Sequence, residues 1–190
     1  MLYYALIALA VLAAVLVLFL IVVAMQPSQF RIERKGKITA PPAIVFGHVN
    51  DLHKWTSWSP WEKLDPGMQR EYSGEPQGKG AAYAWVGNDD VGKGSMRIIE
   101  SQPPSTVAIE LEFEEPWQAT NATLFSVNPD GDGSRVTWGM DGESNFVFKA
   151  VGLFMNMDEM VGKDFEAGLD NLARVAEIEA KKGAAATPSP

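Results

Sequence analysis

The sequence predicts an α+β protein: one N-terminal transmembrane helix followed by a curved antiparallel sheet wrapped around a long C-terminal helix. Three observations lead there. Leu2–Met25 is a run of 24 residues without a charge, a glycine or a proline. Between Met68 and Met140, segments that alternate apolar and polar residues are separated by Gly, Pro, Asn and Asp. From Phe154 to Val175 the apolar residues advance by three or four, which draws a stripe along one face of a helix.

The N-terminal run closes at Gln26-Pro27. As a helix it would be roughly 36 Å long, enough for a hydrocarbon core of about 30 Å. A cleaved signal peptide is the competing reading, with Val22-Val23-Ala24 as its cleavage site. That reading wants a basic segment first and a shorter apolar core. No Lys or Arg precedes this run, so a single-pass anchor is expected. Arg31, Arg34, Lys35 and Lys37 follow it, which by the positive-inside rule places the rest of the chain in the cytoplasm, on an inner membrane. The same four residues are expected to draw the domain toward anionic head groups. The absence of cysteine agrees with a reducing compartment.

Residues 28–181 suffice for one domain with a real core. The net charge of −8 and the lack of a basic patch argue against a nucleic-acid partner. Residues 182–190, "KGAAATPSP", lack hydrophobic anchors and read as a disordered tail.

Phe30, Ile32 and Ile38, evenly spaced, suit a first strand. Pro41-Pro42 then starts a helix, with Ile44, Val45, Val49 and Leu52 near helical spacing and a break at Asn50-Asp51, giving two short helices. Strands follow in "MQREY", "AAYAWVG", "GSMRIIES" and "TVAIELEFEE". In the last, Val107, Ile109, Leu111 and Phe113 share one face and Glu110, Glu112 and Glu114 the other, as in a half-buried antiparallel strand. "TNATLFSVN" and "SRVTWGMDG" flank the turn "PDGDG", a hairpin signal. Gly152, Gly162 and Gly168 weaken the last helix and suit close packing against a sheet.

The segment "APPAIVF", the segment "DLHKWTSWSPW" and the stretch "NFVFKAVGLFMNMDEMVGKDFEAGLDNL" resemble the START-like (SRPBCC) helix-grip superfamily, and within it the bacterial membrane-anchored, polyketide cyclase-like or lipid-transport-like branch. The resemblance covers residues 28 to about 178. It implies an elongated, mainly apolar cavity beneath the C-terminal helix, able to hold a lipid, sterol or polyketide. It implies no fixed catalytic set, since members range from carriers to enzymes.

On that basis the expected ligand-binding residues are Trp58, Tyr83, Trp85, Met96, Phe113, Trp138, Phe154, Met157 and Met160. Trp55, Trp58 and Trp61, three residues apart, can fill one end of the core, line the cavity mouth or enter a membrane. The plug is favoured, and Glu62 and Asp65, which follow at once, argue against membrane insertion.

Motifs for chemistry are sparse. His53 and Asp158 are the candidates for acid–base work; His48 lies five residues before His53, the wrong spacing for a metal pair on one helix. Asp158, Lys163 and Asp164 are expected mainly at the solvent edges of the last helix. Asn128, Asp130, Asp132 and Gly133 mimic part of a calcium loop, but Gly139 stands where the bidentate Glu belongs. Asn121-Ala122-Thr123 matches a glycosylation triplet that a cytoplasmic domain would not use. No metal and no cofactor is expected. The sequence thus points to a membrane-anchored module binding a lipophilic small molecule. A cyclase- or hydratase-type enzyme in the same cavity is the alternative.

Overall fold

Alternation along the strands decides which face of the sheet is covered. The computed structural model describes residues 1–186. Seven strands form one antiparallel sheet: β1 (Gln29–Ile38), β2 (Gln69–Gly74), β3 (Ala81–Val86), β4 (Lys93–Gln102), β5 (Thr106–Glu115), β6 (Ala119–Asp130) and β7 (Gly133–Glu143). Their spatial order is β1-β7-β6-β5-β4-β3-β2, so the first strand closes against the last. The "PDGDG" turn is the hairpin its sequence predicts, with Asp130 paired to Gly133 and Gly131 at φ 61°.

The helices are α1 (Leu2–Met25), α2 (Pro42–Val49), α3 (Phe146–Gly152) and α4 (Met157–Ala186), with two 3-10 turns at Leu52–Ser57 and Pro60–Lys63. Pro42 opens α2, and the Asp51 side chain accepts the His53 N–H to start the first 3-10 turn. Among the described residues α1 is the one helix long and apolar enough to cross a membrane. Nearly all of it is exposed, apart from Val23 and a half-buried Phe19.

The C-terminal stripe differs from its expected form. It is not one helix from Phe154 onward: α3 and α4 are separate, and Phe154 lies between them. An asparagine marks the start of each helix, and the second of them, Asn156, lies in the break. Asn145 Oδ1 accepts the Phe148 N–H at 2.9 Å to cap α3, and Asn156 Oδ1 accepts the Glu159 N–H at 3.2 Å to start α4. Of the tail expected to be disordered from residue 182, Lys182–Ala186 is helical, and residues 187–190 lie outside the described part.

The core fills the space between the sheet, α2, the 3-10 turns and α4. Its hub is Trp138 of β7. Its ring stacks on Phe165 of α4, with centroids 4.2 Å apart and planes 7° off parallel. Phe125, Trp58, Trp61 and Trp55 surround it at 4.7 to 6.5 Å.

Two glycines let α4 come this close. A Cβ at Gly168 would lie 2.6 Å from Trp138 Cζ3, and one at Gly162 would lie 1.8 Å from Arg34 Nη2. Arg34 uses all five of its N–H donors there: on both carboxylate oxygens and the carbonyl of Asp158, on Glu166 Oε1, and on the carbonyl of Glu33. Arg34 therefore ties the start of α4 to β1 instead of facing lipid head groups.

Gly168→Ala should test this contact. Alanine favours an isolated helix by about 1 kcal/mol, but here its methyl group collides with Trp138. The variant should be less stable by about 1–3 kcal/mol in urea unfolding of the full chain in detergent, followed by tryptophan fluorescence. A gain in stability would mean that helix and sheet do not touch at this point.

Candidate functional site

Strand register sets residues in rows across the covered face. One row runs Phe30, Gly142, Asn121, Leu111, Met96, Tyr83, Tyr72; the next runs Ile32, Met140, Thr123, Ile109, Ile98. α4 packs chiefly over β1, so the rows on β3 to β5 are not filled by it. A cavity of about 420 Å³ lies there. Its deeper wall includes the buried Tyr83, Trp85, Ile109, Trp138 and Met140, and its rim includes Trp117, Phe148 and Met157. A second depression, of about 440 Å³, lies around Glu110, Thr120, Asp141 and Glu143; it is more open and carries acidic groups.

Of the nine residues expected on the wall, Tyr83, Trp85, Met96, Phe113, Trp138 and Met157 line the cavity. Trp58, Phe154 and Met160 do not. Trp58 is fully buried against Trp55, Phe125 and Trp138, and its Nε1–H donates to the His48 carbonyl at 3.2 Å. Phe154 is 79% exposed, because the break before α4 turns it outward to meet Phe19 of α1 at 6.3 Å. Met160, half exposed, lies off the α4 face that carries Val161 and Phe165. The tryptophan trio divides: Trp58 is a plug, while Trp55 and Trp61 also face the cavity.

The acid–base candidates fare differently. His53 is outside the cavity, its ring stacked on Tyr72 at 4.0 Å and its Nδ1 3.4 Å from Asp51. His48, in the last turn of α2, is buried, and burial pushes its pKa below the ordinary value. Its Nε2 is 3.0 Å from Glu179 Oε2 but lacks hydrogen-bond alignment, so we regard the pair as proximity rather than a bond. Asp158 reaches the rim, but the hydrogen bonds from Arg34 hold its carboxyl below the usual range, which makes it a clamp rather than a proton carrier.

Two acidic wall residues, Glu62 and Asp164, escaped sequence reasoning. Glu62, its side chain 8% exposed, accepts from Arg70 Nε at 2.8 Å and from the Tyr83 hydroxyl at 3.1 Å, and lies 2.7 Å from Arg70 Nη2 in an ion pair. Both carboxylate oxygens are engaged. Burial, then the Glu62 charge, raises the Tyr83 pKa well above the phenol range, so the hydroxyl stays a donor. Asp164, expected at a solvent edge, lines the cavity half-buried; it has no ion-pair or hydrogen-bond partner among the described residues, and burial raises its pKa. In all, one cation, Arg31, and six carboxylates (Glu62, Asp90, Glu115, Glu143, Asp158 and Asp164) border the cavity. Among the described residues no group of His, Cys, Asp and Glu is arranged to hold a metal ion.

Residues 29–177 match the family described as polyketide cyclase / dehydrase and lipid transport. The chain belongs to that family. Its helix-grip fold recurs in a protein of Chromobacterium violaceum, 16% identical, with a TM-score of 0.56 over 80% of this chain and 99% of the other. The Aha1 dimer of Colwellia psychrerythraea is similar at 14% identity and a TM-score of 0.57, over 78% and 97% of the two chains. DynU16, from the dynemicin biosynthetic locus, gives 13% and 0.55, covering 79% of this chain and 48% of its own. At such identities the likeness is one of fold. No curated protein matches the chain. For a polyketide cyclase / lipid transport family member, this cavity is apolar in most of its wall and carboxylate-bearing at its borders.

The half-buried Asp164 carboxyl gives a pH test. A raised folded-state pKa means that Asp164 detracts from stability as pH climbs from the unfolded value, about 3.9, through the folded one. Asp164→Asn should therefore melt higher than the parent at pH 7, the difference closing toward about pH 3. A constant difference across that range would show that the carboxyl is not desolvated.

Proposed function

We propose that this protein is a membrane-anchored binding module that holds a lipophilic small molecule in the cavity beneath α4. The observation that supports it is the cavity itself: about 420 Å³, walled mostly by apolar and aromatic side chains, in a family that includes lipid transport.

The neighbourhood of the mouth favours delivery from a bilayer. Phe19, which meets Phe154, lies six residues before the end of α1, about 9 Å up the helix. Phe146, Val147, Phe154 and Met155 are each about half or more exposed beside it. Phe148 of the same α3 lines the cavity and touches Trp117 at the rim. If α1 spans a membrane, these side chains sit at its surface with the mouth behind them. The basic residues after α1 favour a cytoplasmic domain. Their pull on head groups is weak in the folded state, because Arg31, Lys35 and Lys37 are paired with Glu33, Asp141 and Asp130 and Arg34 faces α4.

A second reading, a cyclase- or hydratase-type enzyme in the same cavity, has one observation in its favour. Among the described residues Asp164 is the one cavity carboxyl without a partner whose pKa burial moves toward neutrality. Loss of turnover with retained binding in Asp164→Asn would favour it.

The carrier reading predicts that the full chain in nanodiscs takes a fluorescent lipophilic probe from vesicles. Val147→Asp with Phe154→Asp should slow that uptake by about tenfold or more, since two apolar side chains leave the interface. Leu111→Trp, which fills the wall, should abolish retention without changing vesicle contact. Uptake indifferent to all three changes would reject the reading.

A further inference from the structure

Most buried indoles in this protein are satisfied. Trp55, Trp58 and Trp85 donate their Nε1–H to backbone carbonyls of Val49, His48 and Val91 at 3.0, 3.2 and 3.0 Å. Trp138, 2% exposed, does not. Thr123 Oγ1 and Asn121 Oδ1, in residues 5% and 6% exposed, also lack a hydrogen-bond partner among the described residues. Buried polar groups are almost always paired, so each such exception asks for a reason.

All three line the same cavity. Asn121 and Thr123 are two residues apart on β6 and share a face, and Thr123 pairs with Met140, two residues from Trp138 on β7. Gly142, opposite Asn121, leaves the amide its room, since a Cβ there would sit 2.1 Å from Oδ1. The wall thus carries a donor at Trp138, a donor-acceptor at Thr123 and an amide at Asn121, in otherwise apolar surroundings. None is charged, and the charges that border the cavity are six carboxylates against one arginine already paired with Glu33 and Asp141. An anionic head group would meet like charge, and a plain hydrocarbon would leave the three polar groups unpaired.

We propose that Asn121, Thr123 and Trp138 form a subsite for an uncharged oxygen function, a hydroxyl or a carbonyl, on the lipophilic ligand. The ligand class is a neutral alcohol, ketone or ester with a large apolar body, as against a fatty acid or an alkane. The assignment rests on the cavity binding a lipophile at all, and the experiment separates the two.

The full chain in nanodiscs is loaded with a fluorescent lipophilic dye and challenged with hexadecanol, methyl pentadecyl ketone, hexadecane and palmitate at equal mole fraction in the lipid. The alcohol and the ketone should displace the dye about tenfold more effectively than the alkane or the carboxylate. Thr123→Val and Asn121→Leu should each erase most of that margin and leave the alkane unaffected, while Thr123→Ser keeps it. Equal displacement by alkane and alcohol, preference for palmitate, or a margin that survives both variants would overturn the subsite and leave the cavity intact. Displacement by none of the four would overturn the cavity reading, and the subsite with it.

Discussion

The face-to-face stack of Trp138 on Phe165 fixes where α4 meets the sheet, and most of the architecture follows from it. The indole reaches the helix only because residue 168 has no side chain. A second fixed point, Arg34 held by Asp158 and Glu166 over Gly162, ties the start of α4 to β1. A helix pinned twice along the β1 and β7 side cannot also settle onto β3 and β4. The uncovered rows there become a cavity wall, and the volume beneath α4 is a product of where the helix is attached.

That wall treats its polar groups in two ways. Glu62 is saturated by Arg70 and Tyr83 and holds the second 3-10 turn to β2 and β3. A buried carboxylate so fully bonded is structural, because removing either partner would strand a charge in a poor solvent. Asn121, Thr123 and Trp138 present hydrogen-bonding capacity to the interior instead. One set closes the molecule, and the other leaves polar groups open to the cavity.

Much of this was visible in the sequence. The period-2 alternation placed the strands, and the three- and four-residue steps placed α4, because both patterns record which side chains leave water. The break at residues 153–156 is hidden because Leu153, Phe154 and Met155 continue an apolar run, while the fresh start of α4 is set by the Asn156 cap. Arg34 stands among charged neighbours, yet it shares the even spacing of Ile32 and Ile38, and that parity puts it on the covered face. Asn121 and Thr123 keep the parity of Phe125 and Val127 in the same way. A polar residue in register with a buried stripe was the available signal. The depth of Asp164 depends on the position of α4 over the sheet, which no local pattern encodes.

The pairing of β1 with β7 has a consequence for synthesis. Gln29 leaves the ribosome soon after α1, but its partner Glu143 follows more than a hundred residues later. At about 5–20 residues per second, the first strand waits roughly 5–25 s with an open edge. Its own composition guards it: Arg31, Glu33, Lys35 and Lys37 alternate along the outer face, and charges on an unpaired strand discourage association with a stranger. The charges that later form ion pairs on the finished surface thus act first as a guard on the nascent chain.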